Sequence, residues 1–256
     1  MADSAGNWIS DEHPLVLAFR HLRELRRYAV DHPGDAAGRF VAYCAANLMR
    51  SSSQLLQDLF VLFCLQNKQG GFFVEFGAAD GVNLSNTVLL ERAFQWKGIL
   101  AEPARRCHAA LAKNRTGAAI ETRCVWSATG AKLEFTETPS VEYSTMTALV
   151  DKDFNRGDRR GGEIYTVETI SLNDMLRQHH APRTIDYLSL DTEGSELAIL
   201  RPFAFNEYDV TVITVEHNFC EPDRSETKTL LTANGFVRVF EALSVFDDWY
   251  VKRSLL

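Results

Sequence analysis

The run Phe72-Phe73-Val74-Glu75-Phe76 passes directly into Gly77-Ala78-Ala79-Asp80-Gly81, and this junction restricts the fold more than any other segment. A nearly continuous apolar run has no wet face, so it fits a parallel strand covered on both sides. Gly77 and Gly81 let the backbone turn tightly and approach a ligand where a Cβ would collide. The segment Asn83 to Thr87 opens the helix expected over Leu84 through Phe94, with its first amides facing the crevice beyond the strand.

A second apolar strand, Gly98-Ile99-Leu100-Ala101, ends in Glu102-Pro103. An acid about twenty residues beyond the glycine loop, at the tip of the second strand, can accept hydrogen bonds from both hydroxyls of a ribose. A pyrophosphate-binding loop carries three glycines as G-x-G-x-x-G, whereas here Ala78, Ala79 and Asp80 fill the space between two. An acidic two-glycine loop suits a ligand with a sulfonium and an amino group, so S-adenosyl-L-methionine is expected in preference to NAD.

At 256 residues and 46% hydrophobic content, the chain can build a sizeable core. Lys and Arg number 27 against 34 Asp and Glu, a formal net charge of −7, which leaves no electrostatic footprint for nucleic acid or an anionic membrane. The five cysteines are scattered without a C-x-x-C pair, so neither a disulfide framework nor a zinc site is expected. Met1 to Asp11 lacks a basic segment followed by an apolar one, and a cytoplasmic protein is expected.

Residues 12–68 read as a helical extension, with Leu15, Phe19, Leu22, Leu25 and Ala29 on one face and Arg20, Arg23, Arg26 and Arg27 among them. The arginines fit a solvated face, and the apolar helices offer a surface for self-association. His32-Pro33-Gly34-Asp35 breaks the first helix, and a helix from Gln54 to Gln66 carries apolar residues almost all round. From residue 69 to 256 strands and helices alternate. Ile120 to Trp126 is expected as one strand and Leu133 to Thr136 as a short further one. Residues 138–163 carry neither period and form an insertion, read as a disordered loop or a lid over a binding site. Tyr165 to Ile170, Ile185 to Asp191 and Val210 to Val215 resume the strands, and Phe236 to Leu243 with Val245 to Lys252 should form an antiparallel hairpin. The expected architecture is a mostly parallel α/β sheet with that C-terminal hairpin.

Four strands end in acids, Glu75, Glu102, Asp191 and Glu216, with Glu193, His217 and Asn218 close by. In an open parallel sheet these all map to the edge where ligands bind. His217 follows a strand end among polar neighbours and is the expected proton acceptor. Asp191, Glu193, Glu216 and His217 could instead hold Mg²⁺ through hard ligands. The spacing demands no metal, and none is assigned.

The chain resembles the FkbM family of S-adenosylmethionine-dependent methyltransferases, which methylate hydroxyls of polyketides and sugars. The likeness rests on Ser53-Gln54 with Gln57-Asp58-Leu59-Phe60, on Phe73 through Gly81 running into Leu84-Ser85-Asn86-Thr87, and on Gly98 through Pro103. It continues in Leu172-Asn173-Asp174-Met175-Leu176, Ile185 through Glu196 and Val215-Glu216-His217, across residues 50–240. The resemblance implies a class I, Rossmann-like, seven-stranded methyltransferase sheet. It implies Glu75, Gly77 and Asp80 around the methionine end of the cofactor, with Ala78, Gly81 and Asn86 in the same loop region. Glu102, beside Pro103, would hold the ribose, Val125-Trp126-Ser127 the adenine, and Asp191 would lie near the transferred methyl. Catalysis would fall to His217, Asp191 and Glu193 acting on a small-molecule hydroxyl acceptor. Ala79 departs from the polar Asn of many relatives. Two other readings stay open at this point, an NAD-dependent oxidoreductase on the same architecture and a non-catalytic methyltransferase-like interaction protein.

Overall fold

The computed structural model describes residues 14–256. Contacts divide the chain into one unit up to Arg50 and one from Ser51 to Leu256. In the first, α1 (Pro14–Asp31) and α2 (Ala36–Asn47) are separated at the expected Pro-Gly break, where the Asp35 side chain accepts from the Ala37 amide at 2.8 Å and caps α2. Arg23, Arg26 and Arg27 are exposed. The side chains of Leu15, Phe19, Arg20 and Leu25 lie outside the described residues, as does the Met1 to Asp11 segment. No helix among the described residues is long and apolar enough to cross a membrane.

The second unit begins with α3 (Gln57–Cys64), whose Leu59, Phe60, Val61 and Leu62 are fully buried. This helix belongs with the sheet. Phe60 stacks on Trp249 with ring centroids 4.6 Å apart, and Gln57 Nε2 donates to Asp247 Oδ2 at 2.9 Å. The elements that follow are β1 (Phe72–Phe76), α4 (Val88–Phe94), β2 (Lys97–Ala101), α5 (His108–Asn114), β3 (Ala119–Glu121), β4 (Cys124–Trp126), β5 (Lys132–Glu137) and β6 (Thr145–Met146). Then come β7 (Glu163–Ser171), α6 (Leu172–Gln178), β8 (Thr184–Leu190), α7 (Glu196–Leu200), β9 (Asp209–Glu216), α8 (Asp223–Ala233), β10 (Phe236–Val239) and β11 (Asp247–Lys252).

The large sheet has the order β10-β11-β9-β8-β1-β2-β3. From β3 to β9 every pairing is parallel, and β11 is antiparallel to both β9 and β10. The expected C-terminal hairpin is present. Val74, Phe76, Ile99, Leu188, Leu190, Ile213 and Val215 anchor its main core, as expected for strands covered on both faces.

Two local expectations are corrected. The strand expected over Ile120 to Trp126 divides: Glu121 accepts from the amide and guanidinium of Arg123, the chain bends there, and β4 leaves for a second sheet of order β4-β7-β5-β6. The helix expected from Leu84 starts only at Val88, because residues 85–87 are held by the Glu75 carboxylate. Asn86 N donates to it at 2.7 Å, Ser85 Oγ at 3.2 Å, and Thr87 Oγ1 makes a still shorter bond.

Residues 138–163 are neither strandless nor detached. They form the excursion between β5 and β7, which pair antiparallel over six positions, and β6 within them adds to β5. Arg159, 3% exposed, pins the segment by donating to the carbonyls of Tyr143 and Val150 and to Asp153 Oδ2.

Arg115 is fully buried and supplies the charge that allows Glu75 to sit inside. It donates to Glu91 Oε2, the Gly81 carbonyl, Ser85 Oγ and Thr87 Oγ1, and its Nη1 lies 3.7 Å from Glu75 Oε2. Removing one partner of such a pair leaves an uncompensated charge, a loss of about 3–5 kcal/mol. We expect Arg115→Met to lower the urea unfolding free energy by that amount, with Glu75→Gln in the same chain restoring part of it. Equal stability of Arg115→Met and wild type would show the pair to be dispensable.

Candidate active site

The large sheet grows outward in both directions from the boundary between β1 and β8, so the strand order reverses there. A cavity of about 300 Å³ lies over the carboxyl ends of these strands, the position and size expected for a small-molecule site in an open α/β sheet. Glu75, Gly77, Asp80, Asn86, Glu102, Pro103, Asp191 and Glu193 all line it. Residues more than 110 positions apart in sequence therefore meet at one edge.

The glycines serve the protein more than the ligand. Gly77 has φ +74°, and a Cβ there would stand 2.0 Å from the Asp191 carbonyl oxygen, so the turn after β1 packs directly on the end of β8. Gly81 has φ +79° and a Cβ would fall 2.5 Å from Arg115 Cγ. Gly81 and Ala78, expected at the cofactor, do not line the cavity; Ala78 is buried, with its amide donating to the Ala101 carbonyl.

Asp80 folds the loop back by accepting from the amides of Val82 and Asn83, both at 2.8 Å. Glu102 accepts from the Ala79 amide through Oε2 at 2.8 Å and from the Ala104 amide through Oε1 at 2.7 Å. Burial outweighs these bonds and pushes the Glu102 carboxyl up to about 7. Burial likewise raises Glu75, against Arg115 and its hydroxyl and amide donors. Asn86 Nδ2 donates to Ser189 Oγ at 3.0 Å, while its Oδ1 is buried on the cavity with no hydrogen-bond partner.

Of the segment Val125-Trp126-Ser127 expected at the adenine, Val125 lines the cavity, joined there by Cys124, Phe135 and Met146, while Trp126 and Ser127 do not. Once β4 pairs with β7, Trp126 packs against the second core around Ala104, Cys107 and Phe135, and Ser127 is exposed. The excursion between β5 and β7 contributes Val141, Glu142, Tyr143, Ser144, Phe154 and Asn155 to the lining. Gln54 also reaches the cavity. Its position before α3 gave no sign of this in the sequence, because the approach of that turn to the sheet edge is a tertiary contact.

Asp191, Glu193 and Glu216 converge, with one ligand atom from each within 4.8 Å of the others. Glu193 is well supported: its Oε2 accepts from Arg159 Nη2 at 2.5 Å and from Asn155 Nδ2 and Asn218 Nδ2, each at 3.3 Å. Burial pushes its carboxyl up to about 7 even against the Arg159 charge. Burial and the neighbouring acids drive Asp191 and Glu216 well above the ordinary carboxylate range.

His217 does not join them. Glu216 and Asn218 line the cavity, but His217, in the turn beyond the end of β9, does not. Its Nδ1 accepts from the Phe219 amide at 2.9 Å, and its Nε2 lies 3.4 Å from Asp248 Oδ1 in a separate hollow lined by Arg224 and Thr227. The expectation of His217 as a proton acceptor at the site is corrected on this geometry.

Comparison with known proteins adds the family. No curated protein matches the chain. Among solved structures it is similar to a precorrin-6y C5,15-methyltransferase from Geobacter metallireducens GS-15, at 10% identity, TM-score 0.36 and 71% coverage of each chain. It is also similar to the METTL16 MTase domain, at 11% identity, TM-score 0.43 and 99% coverage of each chain. A third is MtNAS in complex with MTA and tNA, at 11% identity and TM-score 0.36, covering 93% of this chain and 72% of that one. The methyltransferase FkbM domain model matches residues 75–240, which takes in the end of β1 with Glu75, the second strand with Glu102, the insertion, and the β8 and β9 acids. The chain belongs to the FkbM methyltransferase family and carries a class I, Rossmann-like sheet.

Proposed function

We propose that this protein transfers the methyl group of S-adenosylmethionine to a hydroxyl of a small molecule, such as a sugar or polyketide. The observation that carries the reading is a cavity at the reversal of strand order, with the amide-oriented carboxylate of Glu102 on one side and a carboxylate cluster on the other. The residues fit this cofactor. Glu102, already oriented by two amides, keeps lone pairs for the ribose hydroxyls. Cys124, Val125, Phe135 and Met146 form an apolar slot for a purine, and the unpartnered Asn86 Oδ1 is an acceptor for the amino group.

When bound, the sulfonium supplies an already activated methyl group, so the protein's task is alignment and exclusion of water. The loop of Gly77 to Asp80 positions the methionine end. Tyr143 and Phe154, from the insertion, wall the cavity on the side where an acceptor enters. Asp191 and Glu193 orient the acceptor hydroxyl and take up its proton within the carboxylate cluster.

Calorimetric titration with S-adenosylmethionine and with NAD tests the cofactor directly. Saturable binding of the first and none of the second is expected; tight NAD binding alone would establish the oxidoreductase reading, and binding of neither the interaction protein. Glu102→Ala should weaken S-adenosylmethionine at least tenfold, since a hydrogen bond to a charged group contributes about 1.5–3 kcal/mol.

The same residue sets a pH dependence. Because the folded carboxyl titrates near 7 and the unfolded one near its ordinary 4.5, the folded state retains the proton across that window. Stability from this group is complete below the lower value and is lost as pH rises to the upper one. Cofactor affinity should run the opposite way, falling as pH drops below 7. Melting curves and titrations of Glu102→Gln between pH 4.5 and 8 should lose both slopes; unchanged slopes would assign them to other carboxylates.

With its ring turned away, His217→Ala should keep turnover within about tenfold of wild type, while Asp191→Asn loses about a hundredfold or more. A hundredfold loss in folded His217→Ala with unchanged cofactor affinity would restore it as the base.

A further inference from the structure

The half-buried Asp191 and the buried Glu216 stand out among the acids of this chain. Each of the others has partners: Glu75 has amide and hydroxyl donors and Arg115, Glu102 two amides, and Asp247 the Gln57 amide group. Among the described residues Asp191 and Glu216 hydrogen-bond to each other through their carboxyl groups, and no N–H or cation is donated to either side chain. Glu216 is 7% exposed, and its Oε2 has no hydrogen-bond partner at all.

The third member, Glu193, is immobilised through one oxygen only. Arg159 and two asparagine amides all bind Oε2, leaving Oε1 for another partner. Arg159 does not neutralise the group, because it is shared with Asp153 at 2.8 Å. Lys152, the nearest lysine in the insertion, is engaged by the Gly194 carbonyl and Asp223. Three carboxylates thus face one another across at most 4.8 Å with less than one full positive charge among them.

We infer that Asp191, Glu193 and Glu216 hold one hard divalent cation of the Mg²⁺, Mn²⁺ or Ca²⁺ class. Oxygen ligands on opposite sides of such an ion stand about 4–5 Å apart at the usual 2.0–2.6 Å bond lengths, which matches the observed convergence. A cation here supplies the missing partner of Glu216 and keeps coordination positions open toward the cavity. Under the proposed chemistry a bound cation also favours loss of the acceptor proton, which passes to a carboxylate oxygen left free of the ion. That consequence rests on the methyl-transfer reading; the site itself does not.

The test titrates Mn²⁺ into the EDTA-treated full-length protein without S-adenosylmethionine, following free Mn²⁺ by electron paramagnetic resonance and heat by calorimetry. One equivalent should bind, with Mg²⁺ and Ca²⁺ as competitors ranking the preference. Glu216→Gln and Asp191→Asn should each weaken uptake roughly tenfold or more, and Asp174→Asn, on α6 outside the cavity lining, should leave it unchanged. Circular dichroism checks each fold, and if Glu216→Gln does not fold, Asp191→Asn decides. No uptake by wild type, or uptake indifferent to the folded variants, overturns the inference. A parallel S-adenosylmethionine titration separates the two claims: cofactor binding without Mn²⁺ removes the metal site alone, and Mn²⁺ uptake without cofactor binding removes the functional reading alone.

Discussion

The buried Glu75 carboxylate and its Arg115 counter-charge set the shape of everything at the sheet edge. A carboxylate at the end of a strand covered on both faces is costly unless it is fully bonded. Here the cost is met by pulling residues 85–87 off the start of the following helix and onto Glu75. That pull places Asn86 on the cavity and fixes the loop of residues 77–84 between two anchors. Arg115, arriving from the end of α5, binds the same hydroxyls and the Gly81 carbonyl. Glu75, expected at the cofactor, is thus chiefly an organiser of the neighbouring loop.

The remaining acids divide by what surrounds them. Glu102 is oriented by backbone amides and therefore presents a fixed pair of acceptors. Asp191, Glu193 and Glu216 are brought together by the parallel pairing of β8 with β9 and by the turn after Leu190, where Glu193 and Gly194 adopt positive φ. One side of the cavity is preorganised for polar recognition, and the other retains uncompensated negative charge. Such asymmetry is what a site needs when a cofactor and an acceptor are to be treated differently.

The insertion acts structurally as part of this site. Its composition suggested irregularity, and it contains short helical turns and a two-residue strand. Arg159 joins it to Glu193, so the wall formed by Tyr143, Phe154 and Asn155 is tied to the carboxylate cluster. Displacement of that wall would change the environment of Glu193 directly.

The amino-acid sequence by itself determined the parallel strands, their acidic ends, the reversed C-terminal hairpin and the family, because each is written in local periodicity or in a contiguous motif. It also placed Glu75, Asp80, Glu102, Asp191 and Glu193 at one edge, since strand polarity alone sends them there. Only the tertiary structure decided what each acid touches. It moved β4 into a second sheet, kept Val125 on the cavity, and put Cys124, Phe135 and Met146 there in place of Trp126 and Ser127. It assigned Gly77 to the contact with Asp191 and Gly81 to Arg115, and it turned His217 toward Asp248. Those outcomes depend on which side chains meet across long sequence separations, and on the charge and hydrogen-bond compensation available where they meet, neither of which a one-dimensional pattern carries.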